Sequence, residues 1–181
     1  MEVATLMFFA LVTLVLLFLA LSALVSVLGG AQFVRTPVEL CFPLILELAD
    51  LSPGDRFVEL GSGTGNLLRY IQEQTGCHVH GVELSPLLAV RSWWKNRRNP
   101  YVTTELNHIL RIDLGNADVV YCYLLPKFMA KLEHKLVREA KAGLRVISYA
   151  FPLPHQAPAR VIPATSRRAA LYLYIFEGRS A

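Results

Sequence analysis

Val58-Glu59-Leu60-Gly61-Ser62-Gly63-Thr64-Gly65-Asn66 is the stretch that decides the fold of this chain. Arg56-Phe57-Val58-Glu59-Leu60 before it reads as a short strand, and Asn66 to Gln74 after it as a helix. Glycines turn the chain tightly and let a ligand approach the backbone, while the start of the following helix offers free N–H groups. A Walker loop would need Gly-Lys-Ser/Thr, which is absent. A dinucleotide fingerprint would need glycine at position 66, where Asn66 stands. Present instead are an acid two residues before the first glycine, Glu59, and a second acid, Glu83, closing the next apolar run, His78-Val79-His80-Gly81-Val82-Glu83. Glu59 would repel a pyrophosphate.

Outward from this loop, strands and helices alternate. Thr36-Pro37 opens a helix over Val38 to Asp50, and Ser52-Pro53-Gly54-Asp55 is a turn. Beyond Glu83, Pro86 to Arg98 reads as a helix, Thr103 to Ile109 as a weak strand, and Ala117 to Tyr123 as a central strand buried on both faces. Lys127 to Lys141 is an amphipathic helix with Phe128, Leu132 and Leu136 on one side. Leu144 to Tyr149 is a strand, and the proline-rich Phe151–Pro158 leads to two last strands, Ala159–Ile162 and Ala170–Phe176. The alternation predicts a Rossmann-like α/β fold. Its seven-stranded sheet is mostly parallel, covered by helices on both faces, with the closing hairpin adding an antiparallel strand.

The composition is lopsided. Hydrophobic residues make up 54% of the 181 and charged residues 18%, with a mean hydropathy of +0.40. The surplus lies at the N-terminus: no residue from Val3 to Val34 is charged, and residues 35–181 hold every Lys and Arg and all acids but Glu2. The expected organisation is therefore a transmembrane anchor, 1–34, joined to a compact, mildly basic domain, 35–181. A disordered chain, a disulfide-framed mini-protein and a multi-span transporter are excluded. Residues 3–28 supply the roughly 20 apolar residues that a bilayer core needs. They are too long for a signal-peptide core and lack its basic flank. Gly29-Gly30 ends the span. Arg35 follows it and no basic residue precedes it, which by the positive-inside bias places the domain on the cytosolic side, the inner membrane if the chain is prokaryotic. Cys41, Cys77 and Cys122 form no CxxC pair, suit a reducing compartment, and signal no metal site.

The combination of Glu59, the three loop glycines and Glu83 resembles the class I S-adenosylmethionine-dependent methyltransferases. The resemblance implies that Gly61, Ser62, Gly63, Thr64 and Gly65 pass beneath the methionine part of the cofactor. It implies further that Glu59 helps hold the amino group and that Glu83 takes the ribose hydroxyls. An acid or amide just after the third strand often meets the adenine; Asn107 is ranked first there, with His108 and Asp113 as alternatives. A narrower likeness rests on Arg35-Thr36-Pro37, on Lys131-Leu132-Glu133-His134-Lys135-Leu136 and on Ala150-Phe151-Pro152-Leu153-Pro154. Over about residues 35–155 the chain is similar to the single-span lysine methyltransferases that modify the ATP synthase c-subunit and the adenine nucleotide carrier. This implies S-adenosyl-L-methionine as cofactor and the bilayer and a membrane protein as partners.

No residue is singled out as catalytic, because methyl transfer to a neutral amine chiefly needs positioning and exclusion of water. The substrate-side candidates are Tyr121 and Tyr123, read as facing opposite sides of the fourth strand so that only one reaches the methyl, and Phe151 and Pro152 of the proline loop. His155 is the one candidate base should the nucleophile be an oxygen. Arg91-Ser92-Trp93-Trp94-Lys95-Asn96-Arg97-Arg98 fits three readings: a lipid-facing helix, an RNA contact, or a helix whose tryptophans pack on the sheet. A nucleic-acid partner is not the expected one. Two other functions remain open: methylation of a lipid or quinone-like small molecule, and a non-catalytic membrane-bound module that binds the cofactor.

Overall fold

A computed structural model describes residues 2–28 and 36–178. Gly29-Gly30 and Arg35, on which the end of the span and its orientation were read, lie outside the described residues, as does the 34/35 boundary.

The element order is α1 (Glu2–Leu28), α2 (Val38–Ala49), β1 (Arg56–Leu60), α3 (Asn66–Thr75), β2 (His78–Glu83), α4 (Pro86–Asn96), β3 (Val102–Leu106), β4 (Val119–Cys122), α5 (Pro126–Glu139), β5 (Leu144–Tyr149), β6 (Arg160–Ile162) and β7 (Leu171–Phe176). The strands form one sheet in the order β3-β2-β1-β4-β5-β7-β6. Neighbours from β3 to β5 run parallel, and β7 runs antiparallel to both β5 and β6. The Rossmann-like sheet with its antiparallel closing strand is therefore as the sequence led us to expect.

The two faces of the sheet bury separate cores. On one, Phe57, Val79, Val119 and Ile147 meet Cys41, Phe42 and Ile45 of α2 and Leu67, Leu68 and Ile71 of α3. On the other, Val58, Leu60, Val120, Cys122 and Val146 meet Met129, Leu132 and Leu136 of α5, with Ile109, Ile112 and Leu114 of the segment before β4. Each central strand is apolar at both parities because each face has its own helical layer.

Several boundaries fall short of the sequence reading, for local reasons. β3 stops at Leu106 because the Asn107 side chain accepts the His108 N–H at 2.7 Å and turns the chain. β4 begins at Val119 because Asp118 is committed to Arg56: its carboxylate accepts the Arg56 N–H at 2.8 Å and its own N–H donates to the Arg56 carbonyl at 2.9 Å. α4 ends at Asn96, two residues early, where the Asn99 N–H donates back to the Asn96 carbonyl at 2.8 Å.

α1 stands apart from both cores. Of Glu2–Leu24 only Ser22 is buried. These 23 residues rise about 34 Å as a helix, against a hydrocarbon core of about 30 Å. This is the one helix among the described residues long and apolar enough to cross a membrane. Its fully exposed apolar surface is unlike that of a core helix. It meets the sheet domain at the start of α4. The Ser22 hydroxyl lies 3.0 Å from that of Ser85, and the Leu87 N–H donates to Ser22 Oγ at 3.1 Å. Ser85 makes no side-chain cap of its own, so a side chain of α1 satisfies a free N–H in the first turn of α4.

Candidate active site

β1 and β4 are adjacent in space, yet the chain leaves β1 toward β2 on one side and returns to β4 on the other. A crevice opens at such a switch point, beyond the carboxyl ends of the strands. The glycine loop sits there. The N–H groups of Gly61 and Ser62 donate to the Val82 carbonyl at 2.8 and 3.0 Å, and the Gly65 N–H donates to the Ser62 carbonyl at 2.9 Å, closing the turn. Gly65 has φ +69°, and a Cβ there would lie 2.3 Å from Ser92 Oγ and 2.7 Å from Asn96 Nδ2. Both partners are buried and fixed: Ser92 Oγ is 2.7 Å from Thr104 Oγ1, and Asn96 Nδ2 donates to the Ser92 carbonyl at 3.0 Å. Glycine at position 65 is thus demanded twice, by conformation and by space. Ser92 and Asn96, which the sequence reading passed over, hold α4 beneath the loop.

The two acids differ in their surroundings. Glu83 is buried and straps the loop to the end of β2: one carboxylate oxygen accepts the Gly63 N–H at 2.8 Å and the other the Ser85 N–H at 2.8 Å. Glu59 is also buried, 7% exposed, but its Oε2 has no hydrogen-bond partner among the described residues, nor does the buried Ser62 hydroxyl. Burial first, and the neighbouring Glu83 carboxylate second, push the Glu59 carboxyl well above the usual carboxylate range. A buried acceptor left without a partner is costly unless a ligand supplies a donor. This set fits S-adenosylmethionine, which brings an ammonium, a sulfonium and ribose hydroxyls and no phosphate.

The remaining candidates fall at different depths. The backbone N–H of Asn107 donates to the Glu83 carbonyl at 3.1 Å, which places the residue at the crevice rim. Its side chain is folded onto its own loop, with Nδ2 donating to Glu105 at 2.6 Å. Asp113 is turned away in the same manner, accepting the Gly115 N–H at 2.8 Å. The reading of Tyr121 and Tyr123 as facing opposite ways is corrected. Strand side chains alternate with a period of two, so residues two apart share a face, and both rings lie on the α2–α3 side. Depth is what separates them. Tyr121 is fully buried beside Glu59, its register partner, with its hydroxyl 3.0 Å from Thr36 Oγ1. Burial raises its pKa well above the ordinary value. Tyr123 is only partly buried and stands edge-on to Tyr149, ring centroids 4.8 Å apart. Phe151 packs on the opposite core and Pro152 is exposed.

The proline loop is held from two sides. Ala150 leaves β5 at φ +71°, a conformation that costs a non-glycine residue roughly 1–2 kcal/mol. Buried Glu133 of α5 accepts the His155 N–H and faces His155 Nδ1, each at 2.8 Å, while the Leu153 N–H donates to the Tyr174 hydroxyl at 2.9 Å. Glu133 was part of the quoted helix, but its separation of 22 positions from His155 hid the contact. The tryptophans of α4 do not pack on the sheet. Trp93 is 56% and Trp94 60% exposed, because Ala89, Ser92 and Asn96 take the inward positions of the helix.

Comparison with known proteins places this geometry. The ANTKMT methyltransferase domain model matches residues 59–160. The adenine nucleotide translocase lysine N-methyltransferase of Mus musculus is 28% identical over 85% of this chain and 72% of its own. A protein-lysine N-methyltransferase of Saccharolobus islandicus is 26% identical over 83% of this chain and 96% of its own. Among solved structures, an RNA methyltransferase from Salinibacter ruber in complex with S-adenosyl-L-homocysteine superimposes with a TM-score of 0.75 and 26% identity, covering 82% of this chain and 96% of that one. The family match begins at Glu59, the acid before the first loop glycine, and runs through the proline loop to the start of β6. This chain therefore belongs to the ANTKMT methyltransferase domain family and is an S-adenosylmethionine-dependent methyltransferase.

Proposed function

We propose that this enzyme is a membrane-anchored protein-lysine N-methyltransferase acting on a membrane protein from the cytosolic side, with residues 1–34 as anchor and 35–181 as the catalytic domain. The observation that carries the anchor is the exposed apolar helix α1, docked through Ser22 on the start of α4. The lysine comes from the two lysine methyltransferases that the chain resembles along most of its length.

In this reading Glu59 would receive the ammonium of the cofactor, Glu83 its ribose hydroxyls and Asn107 the adenine edge, with the loop from Gly61 to Gly65 holding the methionine part. The cofactor supplies a methyl group already activated by its sulfonium. The protein's own part would be to hold a neutral lysine amine beside that methyl group, exclude water, and leave the amine proton a path to solvent once the methyl is transferred. A lysine has a free pKa near 10.4. The apolar mouth beside Tyr123, whose ring stands edge-on to Tyr149, desolvates it and so favours the neutral form. The same rings hold the cation between transfers. Anchoring substrate and enzyme in one bilayer raises their effective concentration.

The Salinibacter neighbour favours a second reading, RNA as substrate. One experiment separates the readings. Membranes with and without the chain are given methyl-labelled cofactor, and label is sought in protein, lipid and RNA fractions. The proposal expects label on a lysine of a membrane protein, with a rate that rises with pH. Label in lipid or RNA alone refutes the lysine. The anchor is tested by carbonate washing, which releases intact protein only if no helix spans the bilayer.

A further inference from the structure

α4 exposes a stripe that the methyl-transfer chemistry leaves unused. Val90, Trp93 and Trp94 are each more than half exposed. With Arg97 they fall three and four residues apart, on one helix face. The Arg97 guanidinium lies 3.8 Å from the centre of the Trp94 ring. Arg91, Lys95 and Arg98 are exposed beside them, and no acidic residue stands between Glu83 and Glu105. Arg91 and Arg98 enter no ion pair among the described residues.

An exposed tryptophan pair ringed by arginine is costly in plain water and suited to the headgroup layer, where the ring is half-buried and the cation meets phosphate. Its location points the same way. Ser22 stands 19 residues beyond Val3, the start of the apolar run, about 29 Å of helix against a hydrocarbon core of about 30 Å, and is hydrogen-bonded to Ser85 and Leu87 at the first turn of α4. If α1 spans, the start of α4 is at headgroup depth, and the Val90–Arg97 stripe begins one turn further on.

We propose that the Val90–Trp93–Trp94–Arg97 face of α4 is a second membrane contact, which seats the catalytic domain against an anionic lipid surface and fixes its tilt about α1. The proposal rests on the anchor reading above. The occupant is the bilayer because charge, aromatic composition and the neighbouring apolar helix all match it; an RNA strand would account for the basic and aromatic groups but not for their place beside α1.

The chain has two tryptophans, and both stand on this face, so emission excited at wavelengths that tyrosine does not absorb reports on the face alone. The whole chain is reconstituted into phosphatidylcholine–phosphatidylglycerol vesicles with and without phospholipids brominated near the headgroup, and flotation is measured on the same samples. The expected result is flotation with an emission reduced about twofold by bromine, as for tryptophan at the interface. Quenching should be weaker in the Arg91→Glu/Arg98→Glu double variant. Should that variant fail to fold, pure phosphatidylcholine vesicles with the wild-type chain supply the comparison, again with weaker quenching. Flotation with emission open to aqueous acrylamide and untouched by bromine overturns the second contact and leaves the anchor standing. Absence of flotation overturns both. Quenching by a single-stranded RNA oligonucleotide, with none by brominated lipid, assigns the face to RNA and overturns the proposal.

Discussion

Replacing Glu59 by Gln should move stability and cofactor affinity in opposite directions. The Glu59 Oε2 is buried without a partner among the described residues and lies near a second buried carboxylate, Glu83. Its pKa in the fold is raised, so the folded chain holds the Glu59 proton more tightly than the unfolded chain does. The contribution to stability is therefore full below the ordinary carboxylate pKa and is lost as pH rises through the raised folded value. Gln has the same shape and no charge. Below the raised folded value, where the folded acid keeps its proton, variant and wild type should differ by only about a few tenths of a kcal/mol. Above that value the variant should be the more stable by about 1–3 kcal/mol, because its unpaired amide carries no buried charge where the wild-type carboxylate does. For a chain of this size that corresponds to about 2–10 °C in melting temperature. The same substitution removes the anion that would face the cofactor ammonium. A charged hydrogen bond is worth about 1.5–3 kcal/mol, so affinity should fall about 10- to 150-fold. The assay is thermal unfolding of the ligand-free protein in detergent across the pH range, alongside calorimetry with S-adenosylhomocysteine. A variant less stable than wild type at high pH, or one that binds the cofactor product as tightly as wild type, would refute the assignment of Glu59.

Glu83→Ala removes both the strap on Gly63 and Ser85 and the hydroxyl acceptor, and calorimetry should show cofactor binding weaker by about 2–3 kcal/mol. Gly65→Ala meets a φ of +69° and a crowded Ser92. Thermal melts should show a loss of about 2–4 kcal/mol from conformational strain and overpacking together, part of it restored by adding Ser92→Ala. Glu133→Ala frees the His155 N–H and with it the proline loop. Steady-state kinetics should show KM for the methyl acceptor rising while cofactor affinity holds, and an equal fall in cofactor affinity would place Glu133 in general stability instead. His155→Ala keeps the backbone donor to Glu133, so most of the activity should remain. A collapse of the rate would make His155 a base and the nucleophile an oxygen.

What the sequence determined by itself was whatever depends on residues near one another along the chain. The turn from β1 into α3, the place of Glu59 and Glu83 at the ends of their strands, and the alternation that builds a parallel sheet all follow from glycine conformation and hydrophobic period. The apolar segment likewise announces its length without any fold. The tertiary structure decided what depends on the sheet order β3-β2-β1-β4-β5-β7-β6. That order sets Glu59 beside Tyr121 and Tyr121 against Thr36, 85 residues away. Side-chain alternation was legible in principle, but the depths of Tyr121, fully buried against Thr36, and of Tyr123, only partly buried, depend on what the fold packs over each. Which face of α4 turns inward was decided by the space behind Gly65, which admits only Ser92 and Asn96 and leaves the tryptophans outside. The cap of α4 by Ser22 and the grip of Glu133 on His155 join segments 65 and 22 residues apart. Neither leaves a periodic trace, because a hydrogen bond between distant segments is specified by where the folded elements meet and not by spacing along the chain.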